Sequence, residues 1–244
     1  MNIFFLSTNP KLAAVYHCDK HVVKMVLETT QMLCTAHRVL DGDVAADAMG
    51  LYRKAYANHP MTKWVRENQF NYAWAYSLLT ELCNEYTHRY NKVHKTQSQG
   101  MLDVLRKIPE NIYLGTETGR TIPPMCMPDK YKNRFNGHSK TTFTDVVDAY
   151  RRYYIGDKKE LACWTKRNVP EWWPEFHLSE ANQELFITED VCVICYNAFE
   201  GYGNNPWPLA SEGKCCDTCN VDVLVARARA LYAKDKETGR LPCD

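Results

Sequence analysis

Residues 17–31, HCDKHVVKMVLETTQ, decide how the first part of the chain folds. His17, His21, Lys24, Glu28 and Gln31 follow one another by four, three, four and three positions. At about 100° per residue these five share one stripe of a helix, within an arc of roughly 80°. Val15, Val22, Val26 and Leu33 gather on the opposite side, so the segment reads as an amphipathic helix. The same periodicity extends both ways and predicts one long helix from Pro10 to about Leu40, closed by the acidic turn DGD. Asn2 to Ser7, an apolar stretch just upstream, reads as a short strand.

Working outward, Asn58-His59-Pro60 opens a second long helix, with proline at a first-turn position where the missing N–H costs nothing. It is predicted to run to about Lys95, and its Tyr72, Tyr76, Leu79, Cys83, Tyr86 and Tyr90 recur at the spacing of a core-packing face. From Gln97 to about Lys140 the Pro, Gly, Asn and Thr content indicates an irregular connection. Thr144 to Lys166 returns to helical spacing, and NVPEWWPEFHLSEANQE reads as a linker. The fold class is therefore mainly α.

Beyond the linker stand two cysteine pairs, Cys192 with Cys195 and Cys216 with Cys219. Their spacing is that of a structural zinc site, in which four thiolates close a tetrahedron and leave no position for water. A turn-rich segment lies between the pairs and a helical pattern follows the second, an order that is treble-clef-like. Cys215 competes with Cys216 as a ligand, but only Cys216 repeats the two-residue gap of the first pair. The alternative is that these are ordinary buried or disulfide-bonded cysteines. The organisation expected is a helical domain over residues 1–174 and a zinc module over residues 188–235.

The 244 residues, 45% apolar and 12% aromatic, suffice for a sizeable core. There is no run of about 18 apolar residues and no basic leader before MNIFFLS, so neither a membrane span nor a signal peptide is expected. Eleven cysteines, mostly single within helical patterns, suit a reducing cytoplasm better than a secreted disulfide scaffold; for a phage-encoded chain this is the host cytoplasm. The net charge of +1 neither requires nor excludes nucleic acid, because a local basic face is compatible with a balanced total.

Two segments carry the candidate chemistry. On the helical stripe, His17, His21, Lys24 and Glu28 supply proton donors, proton acceptors and an amine nucleophile. The competing reading is a solvated face whose Lys24–Glu28 pair contributes a few tenths of a kcal/mol. A metal shared by His17 and His21 would support a phosphohydrolase or nuclease, although Lys24 one turn away disfavours a second cation. Asp19 falls on the apolar side, as a helix-start acceptor or the buried partner of a cation. Further on, Arg151, Arg152, Lys166 and Arg167 interleave with Tyr153, Tyr154, Trp164, Trp172 and Trp173, a composition that suits phosphates and stacked bases as well as it suits a core with a solvated rim.

With CDKHVVKM, NHPMTKW, EYTHRY, AYRRYYIGDK and PEWW, residues 1–174 resemble a group of phage and bacterial proteins. More remotely, the apolar start, the basic helix bearing a Glu and the His-Pro before a second helix are similar to pyrimidine-dimer DNA glycosylases of the endonuclease V type. That resemblance implies an all-helical enzyme that flips a nucleotide and attacks the sugar with its N-terminal amine. Glu28 would match the assisting carboxylate, and Lys20, Lys24 and Arg66 the phosphate-binding cations. The family's amine belongs to a small residue exposed when Met is removed. Asn2 is a residue before which Met is usually kept, so Met1 serves as nucleophile or Lys24 replaces it. The implied function is a DNA glycosylase or lyase on damaged or modified bases, with DNA as partner and zinc as a structural cofactor. A non-catalytic adaptor, with the zinc module as its nucleic-acid or protein recognition element, is the reading from another class.

Overall fold

The computed structural model describes residues 1–114, 119–132, 141–174, 190–194, 198–199, 203–210, 213–224 and 226–227. The chain divides into two compact units, residues 1–116 with 120–185, and residues 117–119 with 186–244.

The first unit is helical. Its elements are α1 (Pro10–Tyr16), α2 (Asp19–Leu40), α3 (Asp43–Ala48), α4 (Pro60–Val65), α5 (Gln69–Tyr90), α6 (Lys95–Ser98), α7 (Met101–Leu105) and α8 (Phe143–Asp157), with 3₁₀ turns at Asp129–Tyr131 and Lys159–Leu161. The helix expected from Pro10 to Leu40 is two helices, because His17 and Cys18 are extended (ψ 134° and 162°). No glycine or proline marks the break; tertiary hydrogen bonds satisfy the groups it frees. Trp164 Nε1 donates to the Tyr16 carbonyl at 3.1 Å, Arg89 Nη2 to that of Val15 at 2.9 Å, and the Asp19 N–H donates to the Cys163 carbonyl at 2.8 Å. The second long helix is likewise divided. Asn68 caps α5, its side chain accepting from the N–H groups of Phe70 and Asn71, and Asn91, left-handed at φ 52°, ends it.

The expected N-terminal strand is not formed. Ile3, Phe4, Phe5 and Leu6 are buried without ladder partners, and what fixes them is side-chain packing: Phe5 stacks on Trp74 at 3.9 Å and Phe4 on His21 at 4.5 Å. This segment lies in the core with α2 and α5. The α5 face bearing Tyr72, Leu79 and Cys83 is buried as the spacing predicts. Tyr76 and Tyr90 are half-buried, their hydroxyls donating to the carbonyls of Leu102 and Asp19. A charge network locks the same helices. Arg89, whose side chain is fully buried, bonds Glu85 at 2.6 Å and Asp19 at 2.8 Å, while Arg167 pairs with Glu85 at 2.8 Å. Asp19 is thus the partner of a buried cation.

In the second unit β1 (Asp190–Val191) pairs antiparallel with β2 (Ala198–Phe199). Isolated bridges join Cys192 to Lys214 and Asn204 to Cys215, and residues 217–224 are helical. A small core of Cys192, Cys215, Cys219 and Val223 holds these pieces together. Gly213 has φ 89°, and a Cβ there would lie 2.3 Å from Val193 Cγ1, so both backbone conformation and space demand glycine.

Candidate active site and metal centre

The break at His17-Cys18 divides the expected stripe: His17 caps the end of α1, and only His21, Lys24, Glu28 and Gln31 lie on α2. His17 and His21 are buried. His17 Nδ1 lies 2.5 Å from the Ala13 carbonyl, so it carries the proton that is donated there, and Nε2 has no partner among the described residues. His21 Nδ1 meets the Tyr154 hydroxyl while its ring stacks on Phe4. Burial is the main force lowering their pKa values, to about 4 for His17 and about 3 for His21. Both are neutral near pH 7.

One to two turns further along, the stripe meets the start of the chain. Glu28 Oε2 accepts the Asn2 N–H at 2.8 Å and lies 3.8 Å from the Met1 amine. Its Oε1 is 3.3 Å from Lys24 Nζ. The side chains of Glu28 and Met1 are only 13% and 2% exposed, whereas that of Lys24 is 67% exposed. The Met1 side chain thus anchors the chain start, Met1 as a whole being half-buried, and Lys24 approaches the carboxylate from solvent. The chain start is anchored on several sides. Asn2 Nδ2 donates to the Cys126 carbonyl at 3.0 Å. Asn2 Oδ1 accepts from the Ile3 N–H at 2.9 Å and from the Tyr150 hydroxyl at 3.3 Å. Thr62 of α4 reaches Met1 Sδ at 3.7 Å.

His59 joins this group. Its Nδ1 accepts the Met61 N–H at 3.2 Å, which leaves the proton on Nε2 in the neutral ring. Burial lowers its pKa, the Met1 amine lowers it further, and Glu28 opposes both, so the imidazole feels the two charges of the site. In the sequence His59 marks the entry to a helix. Its electrostatic coupling to the Met1 amine arises across the fold, which helical spacing does not encode.

The expected nucleic-acid cations occupy different settings. Lys20 is exposed on α2 and Arg66 is half-buried after α4. Arg151 donates to the Leu6 carbonyl at 3.0 Å and lies over the rings of Tyr16 and Trp172. Arg152 reaches the Tyr131 carbonyl at 3.1 Å. Lys166 bonds the His88 carbonyl and Asn91, and Arg167 bonds Glu85. The interleaved basic and aromatic run is thus tied into the first unit through most of its cations.

In the second unit the Sγ atoms of Cys192, Cys216 and Cys219 lie within 4.8 Å of one another and can hold a metal ion. Thiolates around one tetrahedral zinc, at about 2.3 Å from it, stand about 3.8 Å apart, so the cluster has suitable dimensions. Cys195 lies outside the described residues. Cys215 belongs to the small core, and its N–H and carbonyl both bond Asn204. Among the described residues no other group of three or more His, Cys, Asp or Glu ligands is gathered, and none includes His17 or His21. No helix among them is long and apolar enough to cross a membrane.

Residues 1–98 match the family model described as pyrimidine dimer DNA glycosylase. That segment holds Met1, Lys24, Glu28 and His59, and the match supports a glycosylase-like role on damaged bases with DNA as substrate. No curated protein and no solved structure matches the chain.

Proposed function

We propose that the chain is a DNA glycosylase and abasic-site lyase whose nucleophile is the Met1 amine and whose proton-transfer group is Glu28. The observation that carries this reading is the 3.8 Å approach of a protein-anchored amine to a carboxylate, inside the segment that matches the glycosylase family model. Glu28 takes a proton from the amine, whose free electron pair attacks C1′ of the damaged nucleotide. The bond from C1′ to the base breaks, and the departing base takes the proton that Glu28 holds. Opening of the sugar ring leaves C1′ as an imine on Met1, and loss of a C2′ proton then expels the 3′ phosphate. Water releases the sugar and restores the amine.

Lys24 is the alternative nucleophile. Its exposure favours a different part, meeting phosphate while its charge rests on Glu28. His17 and His21 act in this reading through packing, since buried neutral imidazoles bonded within the fold have no proton to give near neutral pH. Lys20 and Arg66 contact phosphates. Arg151, Arg152, Lys166 and Arg167 hold the fold and shape the DNA-facing surface. Zinc on Cys192, Cys195, Cys216 and Cys219 is structural, holding the second unit together.

Borohydride trapping on an abasic duplex tests the mechanism, because reducing the imine makes the protein–DNA link permanent. Peptide mapping is expected to place the adduct on Met1. An adduct on Lys24 moves the nucleophile to that residue. Absence of adduct on abasic, dimer-containing and hypermodified DNA, with DNA binding retained, overturns the enzyme in favour of the adaptor.

A further inference from the structure

Between α3 and α4 the chain passes through Arg53-Lys54-Ala55-Tyr56-Ala57-Asn58 before His59 and Pro60. Tyr56 has φ 44°, a left-handed conformation that a bulky side chain rarely adopts. Among the described residues two other non-glycine positions share a positive φ, and each has a visible cause. Asn91 ends α5, and Lys166 bonds the His88 carbonyl and Asn91 through its amine. Tyr56 is 72% exposed instead, and neither its ring nor its hydroxyl meets a partner among the described residues. The strain is imposed from α2. Arg38 donates to the carbonyls of Leu51 at 2.7 Å and Tyr52 at 2.5 Å. The buried Thr35 hydroxyl donates to the Ala55 carbonyl at 3.3 Å and accepts its N–H at 3.0 Å. The His59 N–H then closes a turn onto the Tyr56 carbonyl at 2.9 Å. A strained residue whose side chain packs on nothing adds no stability to the fold, and such positions gather where function needs them.

We propose that Tyr56 is a wedge, whose ring enters the base stack of the duplex at the gap left by the nucleotide under attack and stacks on the neighbouring base. The inference rests on the glycosylase reading and adds to it the residue that holds the duplex open. The turn sets the place of the ring. Its two ends, Tyr56 and His59, have Cα atoms within about 7 Å of each other. His59 caps α4, and one helical turn further on, about 5 Å along the axis, Thr62 meets Met1 Sδ at 3.7 Å. The ring therefore stands on the element next to the amine. A flipped nucleotide carries its sugar away from the gap it leaves, so wedge and nucleophile belong on neighbouring elements and not at one point. The surroundings of the ring favour a polyanion with flat faces. Arg53 is exposed with no carboxylate against it among the described residues, and no acidic residue lies between Leu51 and Pro60. An aromatic ring beside cations suits stacked bases on a phosphate chain.

The test compares the affinity of the full chain for a duplex carrying a tetrahydrofuran abasic analogue with its affinity for the intact duplex. A wedge gains most at the analogue, where no base has to be expelled. Tyr56→Gly should lower the parent's preference for the analogue by on the order of tenfold to a hundredfold, the range that stacking of one base on an aromatic ring supplies. Its melting temperature should equal or exceed the parent's, because glycine takes a positive φ without strain. Tyr56→Phe, which keeps the ring, should keep the preference. The wedge is overturned by a parent without preference, by a Gly variant that retains it, or by a Phe variant that fails as Gly does. It is also overturned by a Gly variant that loses preference and melting temperature together, since that assigns Tyr56 to the fold. The borohydride adduct on Met1 judges the glycosylase reading separately: that reading survives any of these outcomes if the parent still forms the adduct, and both fall if it does not.

Discussion

Replacing Glu28 by Gln separates chemistry from architecture. The carboxylate accepts the Asn2 N–H at 2.8 Å and contacts the amines of Met1 and Lys24 at 3.8 and 3.3 Å. An amide of the same shape retains one acceptor, so the bond from Asn2 persists in neutral form. A charge-assisted bond of about 1.5–3 kcal/mol then becomes one of about 0.5–1.5, a loss of about 1 kcal/mol. The Lys24 contact, largely in solvent, adds only about 0.2–1 kcal/mol. With a similar 0.2–1 kcal/mol for the Met1 amine at 3.8 Å, these amount to about 1–3 kcal/mol, or a melting shift of roughly 2–12 °C for a unit of this size. Removing a proton-transfer group slows its step by about 10²–10⁴. Single-turnover cleavage of an abasic duplex, measured beside a thermal melt, reads both effects. A Gln variant that melts within this range yet reacts within threefold of the parent would falsify the role given to Glu28.

Acid should destabilise the first unit before its carboxylates titrate. His17 and His21 are depressed to about 4 and about 3, so they stay neutral in the fold, whereas an unfolded histidine protonates below about 6.5. The stability this neutrality confers is complete above pH 6.5 and declines as pH falls toward 4 and 3, by up to about 1.4 kcal/mol per pH unit for each histidine. A melting temperature that stays flat from pH 7 to 4 contradicts the burial of both. Arg89→Met, which leaves Glu85 and Asp19 without their buried partner, should cost about 3–5 kcal/mol in denaturant unfolding. Replacing Arg151 and Arg152 by Ala should lower the melting temperature while flattening the salt slope of DNA binding by less than two, since Arg151 is held by Leu6 and two rings; a full loss of two with an unchanged melt assigns both to phosphates. Metal analysis should find about one zinc per chain, and Cys192→Ser should release it and abolish hydrogen-exchange protection around residues 213–224. Zinc-free protein prepared without chelator removes the metal centre.

What was legible in the sequence was periodic or local. The helical class and the buried face of α5 follow from spacing, whereas the helical pattern over Thr144–Lys166 gives a helix that ends at Asp157. The cysteine pairs announced a thiolate cluster because metal ligation fixes short spacings. The break at His17-Cys18 was illegible for the opposite reason. Its carbonyls are satisfied by Arg89 and Trp164, residues far along the chain whose approach leaves no local signature. The N-terminal strand failed similarly: NIFFLS has strand composition, but its neighbours offer rings for packing and no backbone edge.

The same limit governed the candidate site. Four residues at the spacing of one helical arc suggest one functional stripe, yet His17 lies before the break and His21, Lys24 and Glu28 on α2 differ in burial, so depth assigns unlike tasks to like positions. His17 and His21 face Phe4 and Tyr154 inside the core, where desolvation keeps them neutral. Glu28 lies where the core opens onto the chain start, and there it meets two amines. A stripe defined by angle alone cannot distinguish these surroundings. What distinguishes them is the anchoring of Asn2 to Cys126 and Tyr150, which brings the Met1 amine to Glu28 and to neither histidine. In the proposed mechanism Asn2 consequently does more than retain Met1. Asn2→Leu, which keeps a large residue after Met1 and removes only the side-chain anchors, should leave the amine and Glu28 chemically intact but let the amine wander, and misplacement of a nucleophile by about 1 Å can cost on the order of 100-fold. Borohydride adduct formation on an abasic duplex should slow by that order while the adduct remains on Met1. Equal rates in Asn2→Leu and the parent would mean that the amine's position near Glu28 is not what the reaction uses.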